Sequence, residues 1–472
     1  MLWACILLPQ LALDDVLRLS IDPAAPVVIA EGPAQRRVVR HANGPAQRAG
    51  LRRGQPLAAA RALLPEFRCI AYDPDKETQL RLILAGWAYG YSSMISLREA
   101  DAILVEIGAS LTLFGPWPQL ERRLRTELAE LGITHRIAVA PTALGACVLA
   151  ATQDGMAVLQ AGPFNNALAQ VFLESARLLP VDVIALNAMG LRRLRDVFRL
   201  PRAGLAKRFS PELLDHLDRM RGEAADPLPL HHPAAHFSTR MEFDHAIESS
   251  ETLLFPLRRL LSDFSVYLHG RDSGVQQFDL VLEHDDLAPT IISIGLQSPQ
   301  RQANALFEIC RLKVQSTPVP AAIRALGIRA RDLPAFVPDA VDLFEDRAGG
   351  QLSWPQLADR LRARLGPDSV YQLTATEDPR PEHAWQRAVF NKRNDATPVD
   401  GTRPTWLFRT PLPLHGVPQH ILAGPERIES GWWGGGDVSR DYYVIETRLG
   451  QRAWAFQSGG EDSAWMLHGW FA

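Results

Sequence analysis

Residues 3–8, Trp-Ala-Cys-Ile-Leu-Leu, are apolar at every position and stop at Pro9. A run this short, without the alternation of a half-exposed strand, reads as a strand buried on both faces. Such a strand needs neighbours on each side and helices above and below it. The following 150 residues supply the parts. Residues 27–29 form a second strand after Pro26, and residues 57–64 form a helix that Pro65 ends. Leu80, Leu84, Trp87 and Tyr91 recur at helical spacing. Strands at 102–107 and 137–140 alternate with helices at 119–131 and 143–151, which predicts a mixed sheet with helices on its face.

A chain of 472 residues exceeds one ordinary domain, and three or four are expected. From about residue 170 the elements become short helices broken by Pro180, Gly190, Pro201 and Pro211. Beyond a Pro/His-rich linker at 226–233, the order is strand 237–243, an amphipathic helix carrying Leu253, Leu257, Leu260 and Phe264, strands 275–283 and 290–297, and helix 300–313. That order builds an α+β domain of its own. Residues 333–355 read as a linker and 355–365 as an Arg-rich helix. The last ninety residues hold seven of the eleven tryptophans, in short alternating runs at 442–447, 453–457 and 464–470 that predict a β-meander.

The net charge is -3, so any nucleic-acid surface must be a local concentration of cations. One stands between residues 190 and 222, where nine Lys or Arg meet four Asp or Glu. Cys5, Cys69, Cys147 and Cys310 are widely spaced, without metal-ligand pattern, and read as reduced core thiols of a cytoplasmic protein. Residues 1–13 are apolar but run into Asp14 and Asp15 without a basic leader or a small-residue cleavage site, so a buried strand is expected rather than an export signal.

Three stretches carry a family resemblance. Residues 49–57, Ala-Gly-Leu-Arg-Arg-Gly-Gln-Pro-Leu, open a helix that ends in Leu64-Pro65; residues 101–107 fit a palm strand; residues 189–196, Met-Gly-Leu-Arg-Arg-Leu-Arg-Asp, fit the start of a thumb helix. In this order they resemble the Y-family, or lesion-bypass, DNA polymerases. The tail at 424–428, 432–433, 440–443 and 467–472 resembles the C-terminal region of ImuB-type, non-catalytic members. The resemblance implies an α+β multidomain fold with a palm at 1–20 and 71–165, small fingers at 21–70, a helical thumb at 166–232 and a little finger at 237–332. A linker at 333–354 and a partner-docking region at 355–472 would follow.

Polymerases of this kind hold two divalent cations about 4 Å apart with carboxylates. Aligned on Leu11 and Ala12, the first-strand acidic positions of the family fall at Ile6 and Leu8; on the other strand Asp101 matches one acidic position and Ala102 replaces the other. Family contacts to the nucleotide fall at Gly44, Gln47 and Leu144, and the position that excludes a ribose hydroxyl is Leu11. One carboxylate is too few for a pair of hard cations. No catalytic residue, metal or cofactor is therefore expected, and the chain is read as a homologue that makes no DNA. The alternative is an active error-prone polymerase whose ligands are displaced to Asp14, Asp15, Glu99 or Glu106.

For DNA contact the resemblance singles out Arg192, Arg193, Arg195, Arg199, Arg202, Lys207 and Arg208 as phosphate ligands. The Gly-rich hairpin of the family's thumb is missing, with Leu179-Pro180-Val181-Asp182-Val183 in its place. Asp342, Leu343 and Phe344 resemble the end of a peptide that docks on the β sliding clamp. The implied partners are primer-template DNA, the clamp, an error-prone replicative-type polymerase and a RecA-like accessory protein, with no membrane. A protein hub that does not touch DNA is the remaining alternative.

Overall fold

The structure, a computed structural model, describes residues 1–18, 22, 24–338, 354–366, 368–388, 403–430, 438–459 and 463–471. In chain order the first elements are β1 (Trp3–Leu7), α1 (Leu11–Leu17), β2 (Val27–Glu31), β3 (Val38–Ala42), α2 (Gly44–Arg48), α3 (Leu57–Leu63) and β4 (Arg68–Ala71). They continue with α4 (Pro74–Tyr89), β5 (Ile95–Ser96), β6 (Ala102–Glu106), α5 (Ser110–Phe114), α6 (Trp117–Glu130), β7 (Arg136–Ala140) and α7 (Ala143–Thr152).

β1 is buried along its whole length and lies inside a sheet of order β5-β6-β1-β7. Every neighbouring pair in that sheet is antiparallel, so the expected mixed sheet is corrected here. The parallel pairing of this region belongs instead to a separate three-stranded sheet, β3-β2-β4, in which β2 runs parallel to β4. β3 and β4 carry Arg40, His41 and Arg68 among short apolar stretches, a pattern too brief and polar to announce itself in the sequence.

Alternation along β1 sends its side chains into two cores. Trp3, Cys5 and Leu7 join Ala102, Leu104 and the buried face of α7. Ala4, Ile6 and Leu8 join Ile103, Val105 and the apolar faces of α4 and α6. Each such leucine or isoleucine contributes about 1.5–3 kcal/mol when fully buried.

The first core is shared with short helices α8 (Ala161–Ala169), α9 (Pro180–Ala188), α10 (Leu194–Phe198), α11 (Arg202–Ala206) and α12 (Pro211–Arg221), which contribute Leu168, Leu186, Leu194, Leu205 and Leu217. Next come β8 (Phe237–Ile247), α13 (Ser250–Gly270), β9 (Val275–Glu283), β10 (Thr290–Gln300), α14 (Ala303–Ser316) and β11 (Ile323–Ala330). β11 extends the expected β-α-β-β-α order and lies inside the sheet β10-β9-β11-β8. Helix α15 (Trp354–Leu365) follows.

The chain divides into two units, Met1–Arg360 and Leu361–Ala472. The second has strands β12 (Gln372–Ala375), β13 (Trp385–Ala388), β14 (Trp406–Pro413), β15 (His420–Ser430), β16 (Val438–Glu446), β17 (Arg452–Gln457) and β18 (Met466–Trp470). Its sheet β14-β18-β17-β16-β15 contains the expected meander and two further strands. Trp454 is buried, with Tyr442 stacked on it at 4.0 Å, whereas Trp385 and Trp406 are exposed.

Within the first unit α4 and α13 cross at glycines. A Cβ on Gly270 would lie 1.8 Å from the carbonyl oxygen of Gly86, so the backbones themselves are in contact. Beside this crossing, Arg18 of the α1 end is ion-paired with Asp263 of α13, the two side chains only 3% and 9% exposed. Arg259 stands 3.6 Å from the same carboxylate, and burial pushes its guanidinium down to about 10. Gly270→Ala is expected to force the helices apart and to lower unfolding free energy by about 1–3 kcal/mol or more in a denaturant melt. Gly295→Ala, where a Cβ meets nothing within 4 Å, is the control and should change it far less.

Candidate functional site

The register of the first sheet decides which residues stand together at the expected metal position. Leu7 lies opposite Ala102 and Ile6 opposite Ile103. Ile6 and Leu8 therefore point into the core beneath α4 and α6, away from the face that Ala102 occupies. The side chains that share that face are Cys5, Leu7, Ala102 and Leu104, all buried. Cys5 is hydrogen-bonded to Cys147, and that bond together with burial pushes its thiol well up. Thiols and aliphatic groups are poor ligands for a hard cation.

Asp101 is the acidic side chain left at the strand's edge, and it is engaged. Nη2 of Arg177 donates to both its carboxylate oxygens at 2.9 Å, while Nη1 donates to Glu99 at 2.9 Å. Burial is the strongest single influence and acts against the Arg177 charge, but the attraction of Asp101, its hydrogen bonds to the guanidinium and smaller favourable contributions together exceed it, and the guanidinium is held more firmly protonated than an ordinary arginine. Arg177 has φ 54, a left-handed backbone that a residue with a Cβ seldom adopts. The surrounding structure keeps this strained conformation, and with it the aim of the side chain.

Of the displaced-ligand candidates, Glu99 shares Arg177 with Asp101 and is also held by Arg98. Asp14 accepts from the amide and hydroxyl of Thr134 at 2.8 and 2.9 Å, and burial pushes its carboxyl up. Asp15 is likewise pushed up by burial and lies near Arg18, Lys76 and Arg259. Glu106 accepts from the backbone amides of Leu2 and Gly108 at 2.9 and 3.1 Å. These carboxylates serve four separate structural tasks. Among the described residues no three His, Cys, Asp or Glu converge on a metal position. The residues present do not fit a two-cation site.

Around the other positions the picture is similar. Leu11 is buried, and Leu144 is buried beside Arg98, Glu99 and Arg177. Gln47 donates to the carbonyl of Ala42 at 2.6 Å. It lines a small cavity with Gln10, Arg40, His41, Arg52 and Arg53, whereas Gly44 contributes no side chain.

Residues 16–151 match the model of the impB/mucB/samB family. Two proteins named Protein ImuB, from Caulobacter vibrioides strains NA1000 / CB15N and ATCC 19089 / CIP 103742 / CB 15, are 27% identical over 461 residues, covering 89% of this chain and 100% of theirs. The chain is a homologue of ImuB, with a Y-family polymerase fold. A DNA polymerase IV of Desulfatibacillum aliphaticivorans is 22% identical over 317 residues, 65% of this chain and 78% of that one. The crystal structure of DinB from Sulfolobus solfataricus overlaps 71% of this chain and 100% of that chain at 15% identity and TM-score 0.41.

In this ImuB homologue the seven expected phosphate ligands fall into two groups. Arg192 donates to Asn187, Arg193 to Gln170 and Arg202 to Asp218, and Arg195 is 3.5 Å from Asp196. Arg199, Lys207 and Arg208 are exposed and make no ion pair with the described residues. The peptide Asp342, Leu343 and Phe344 lies outside the described residues. Sequence reasoning did not find Arg177, because its partners are 76 and 78 positions away and no motif links them.

Arg177→Ala is expected to cost about 1–3 kcal/mol in a denaturant melt, since it leaves Asp101 without its cation beside a Glu99 that keeps only Arg98. Asp101→Ala, whose carboxylate is 51% exposed, should cost less than about 1 kcal/mol.

Proposed function

We propose that this chain is a DNA-binding, catalytically inactive polymerase homologue that acts as a cytoplasmic scaffold in damage-induced mutagenesis and translesion synthesis. Its first sheet would be the palm, the β3-β2-β4 subdomain the fingers, the short helices the thumb and the β8–β11 domain the little finger. The scaffold docks on the sliding clamp and recruits a separate error-prone polymerase together with a RecA-like accessory protein.

One observation carries the catalytic half of this reading. The carboxylate at the palm-strand edge is committed on both oxygens to Arg177, and the face beside it is apolar. Phosphoryl transfer of this type depends on cations that neutralise developing charge, and a site without their ligands cannot supply that. The DNA-binding half rests on Arg199, Lys207 and Arg208, exposed cations without a carboxylate partner among the described residues. Such cations hold phosphates without reading sequence. No described helix is long and apolar enough to cross a membrane.

Primer extension with Mg²⁺ or Mn²⁺ should give no product with the wild-type chain. Extension that disappears in Asp101→Ala would overturn the inactive reading. On primer-template duplex, affinity should fall steeply with salt, and Arg199→Ala with Lys207→Ala and Arg208→Ala should flatten the log–log slope by about 2.7. A flat wild-type response would remove the phosphate-contact model. Leu343→Ala with Phe344→Ala should abolish clamp pull-down; unchanged capture would refute that docking site.

A further inference from the structure

Arginines in the first unit differ in whether an acid neutralises them. Arg18, Arg98, Arg125, Arg177, Arg240 and Arg301 each have a carboxylate within 4.0 Å. In the subdomain built on β3-β2-β4 most arginines have no acid partner among the described residues. Between residues 26 and 66 it carries seven arginines and two glutamates, an excess of five positive charges. Arg40 is held by Glu31 at 2.6 Å. The other six make no ion pair with the described residues.

Three of those six converge. Arg36 and Arg37 lie on the short turn before β3, and Arg61 lies one helical turn into α3, on the same side as Leu57. The two segments are fixed to each other by backbone bonds, with Leu57 N–H donating to the Arg37 carbonyl at 2.9 Å and Val39 N–H to the Gln55 carbonyl at 2.9 Å. Between them opens a cavity of about 410 Å³ lined by these three arginines, Gln35 and otherwise apolar residues such as Val38 and Leu57. Among the described residues no carboxylate lines it. The rigid base beneath is the core of Val28, Val39, Leu51 and Ala60.

Like charges gathered without an acid repel one another, and a phosphate placed among them relieves the repulsion while accepting forked guanidinium hydrogen bonds. The lining holds no aromatic ring to stack on a base and a single amide to read one. Recognition there can therefore address phosphate and not base identity. We infer that this cavity is a second phosphate-binding site, distinct from the Arg199, Lys207 and Arg208 surface, which grips the backbone of a nucleic-acid strand. The inference rests on the DNA-binding reading above.

The test uses the full chain, a 5′-labelled single-stranded oligonucleotide and fluorescence anisotropy across a salt series. Replacing Arg36, Arg37 and Arg61 together by Ala should flatten the log–log salt slope by about 2, which amounts to a roughly 20-fold smaller loss of affinity between 50 and 200 mM salt. The corresponding triple Lys variant should keep most of the slope, because phosphate neutralisation needs charge whereas a structural role of the arginine forks would not be rescued. An unchanged slope in the Ala triple overturns the site. If Arg199→Ala with Lys207→Ala and Arg208→Ala still flattens the slope in that case, the DNA-binding reading survives without it. A wild-type chain that binds no oligonucleotide overturns both. Pyrophosphate supplies the remaining arm: if it stabilises the wild type against heat and not the Ala triple, while DNA binding is equal in both, the cavity takes small anions and the backbone site is wrong.

Discussion

A carboxylate can serve a divalent cation or a guanidinium, and at Asp101 the guanidinium of Arg177 takes both oxygens. That pairing does more than fill a vacancy left by other substitutions. It brings a positive charge from the segment before α9 onto the strand edge, and through Glu99 it ties a second carboxylate into the same contact. The palm-like sheet and the short helices that follow it also share one apolar core, formed by Cys5, Leu7 and Ala102 on one side and Leu168, Leu186 and Leu194 on the other. The edge where Asp101 meets Arg177 lies at this junction.

Carboxylates with structural partners recur elsewhere in the first unit. Carboxylates that sequence reasoning offered as displaced ligands hold backbone amides or buried arginines. The α4/α13 crossing places two helix backbones in contact at Gly86 and Gly270, beside the buried Arg18, Arg259 and Asp263 cluster. Breaking one member of such a cluster leaves an uncompensated buried charge, which costs more than the pair itself contributes. Arg36, Arg37 and Arg61 of the β3-β2-β4 subdomain, and Arg199, Lys207 and Arg208, make no ion pair with the described residues.

Much of the architecture could be read from the sequence, and the failures have identifiable causes. The apolar run at 3–8, the helical spacing through Leu80, Leu84 and Trp87, and the strand at 102–107 correspond to β1, α4 and β6. β3 and β4 were invisible because their few apolar residues are mixed with Arg40, His41 and Arg68. Ile6 and Leu8, which align with the family's first-strand acids, are buried on the face opposite Ala102, a placement that only the strand register reveals. A slip of one residue in a strand turns every side chain to the other face, so an alignment without a register is weakest for this kind of assignment. Arg177 lay beyond reach because long-range ion pairing leaves no local pattern. Charge counting favoured residues 190–222, yet in the structure four of the seven cations named there have side-chain partners.

The claim on which the rest turns is that the palm position no longer holds divalent cations. Titration of the full chain with Mn²⁺, followed by the electron paramagnetic resonance signal of the free ion, tests it without any substrate. With the Asp101 carboxylate occupied by Arg177, the free-ion signal should rise in proportion to added Mn²⁺ and be the same in the wild type and in Asp101→Ala. A saturable loss of signal in the wild type that Asp101→Ala removes would contradict it.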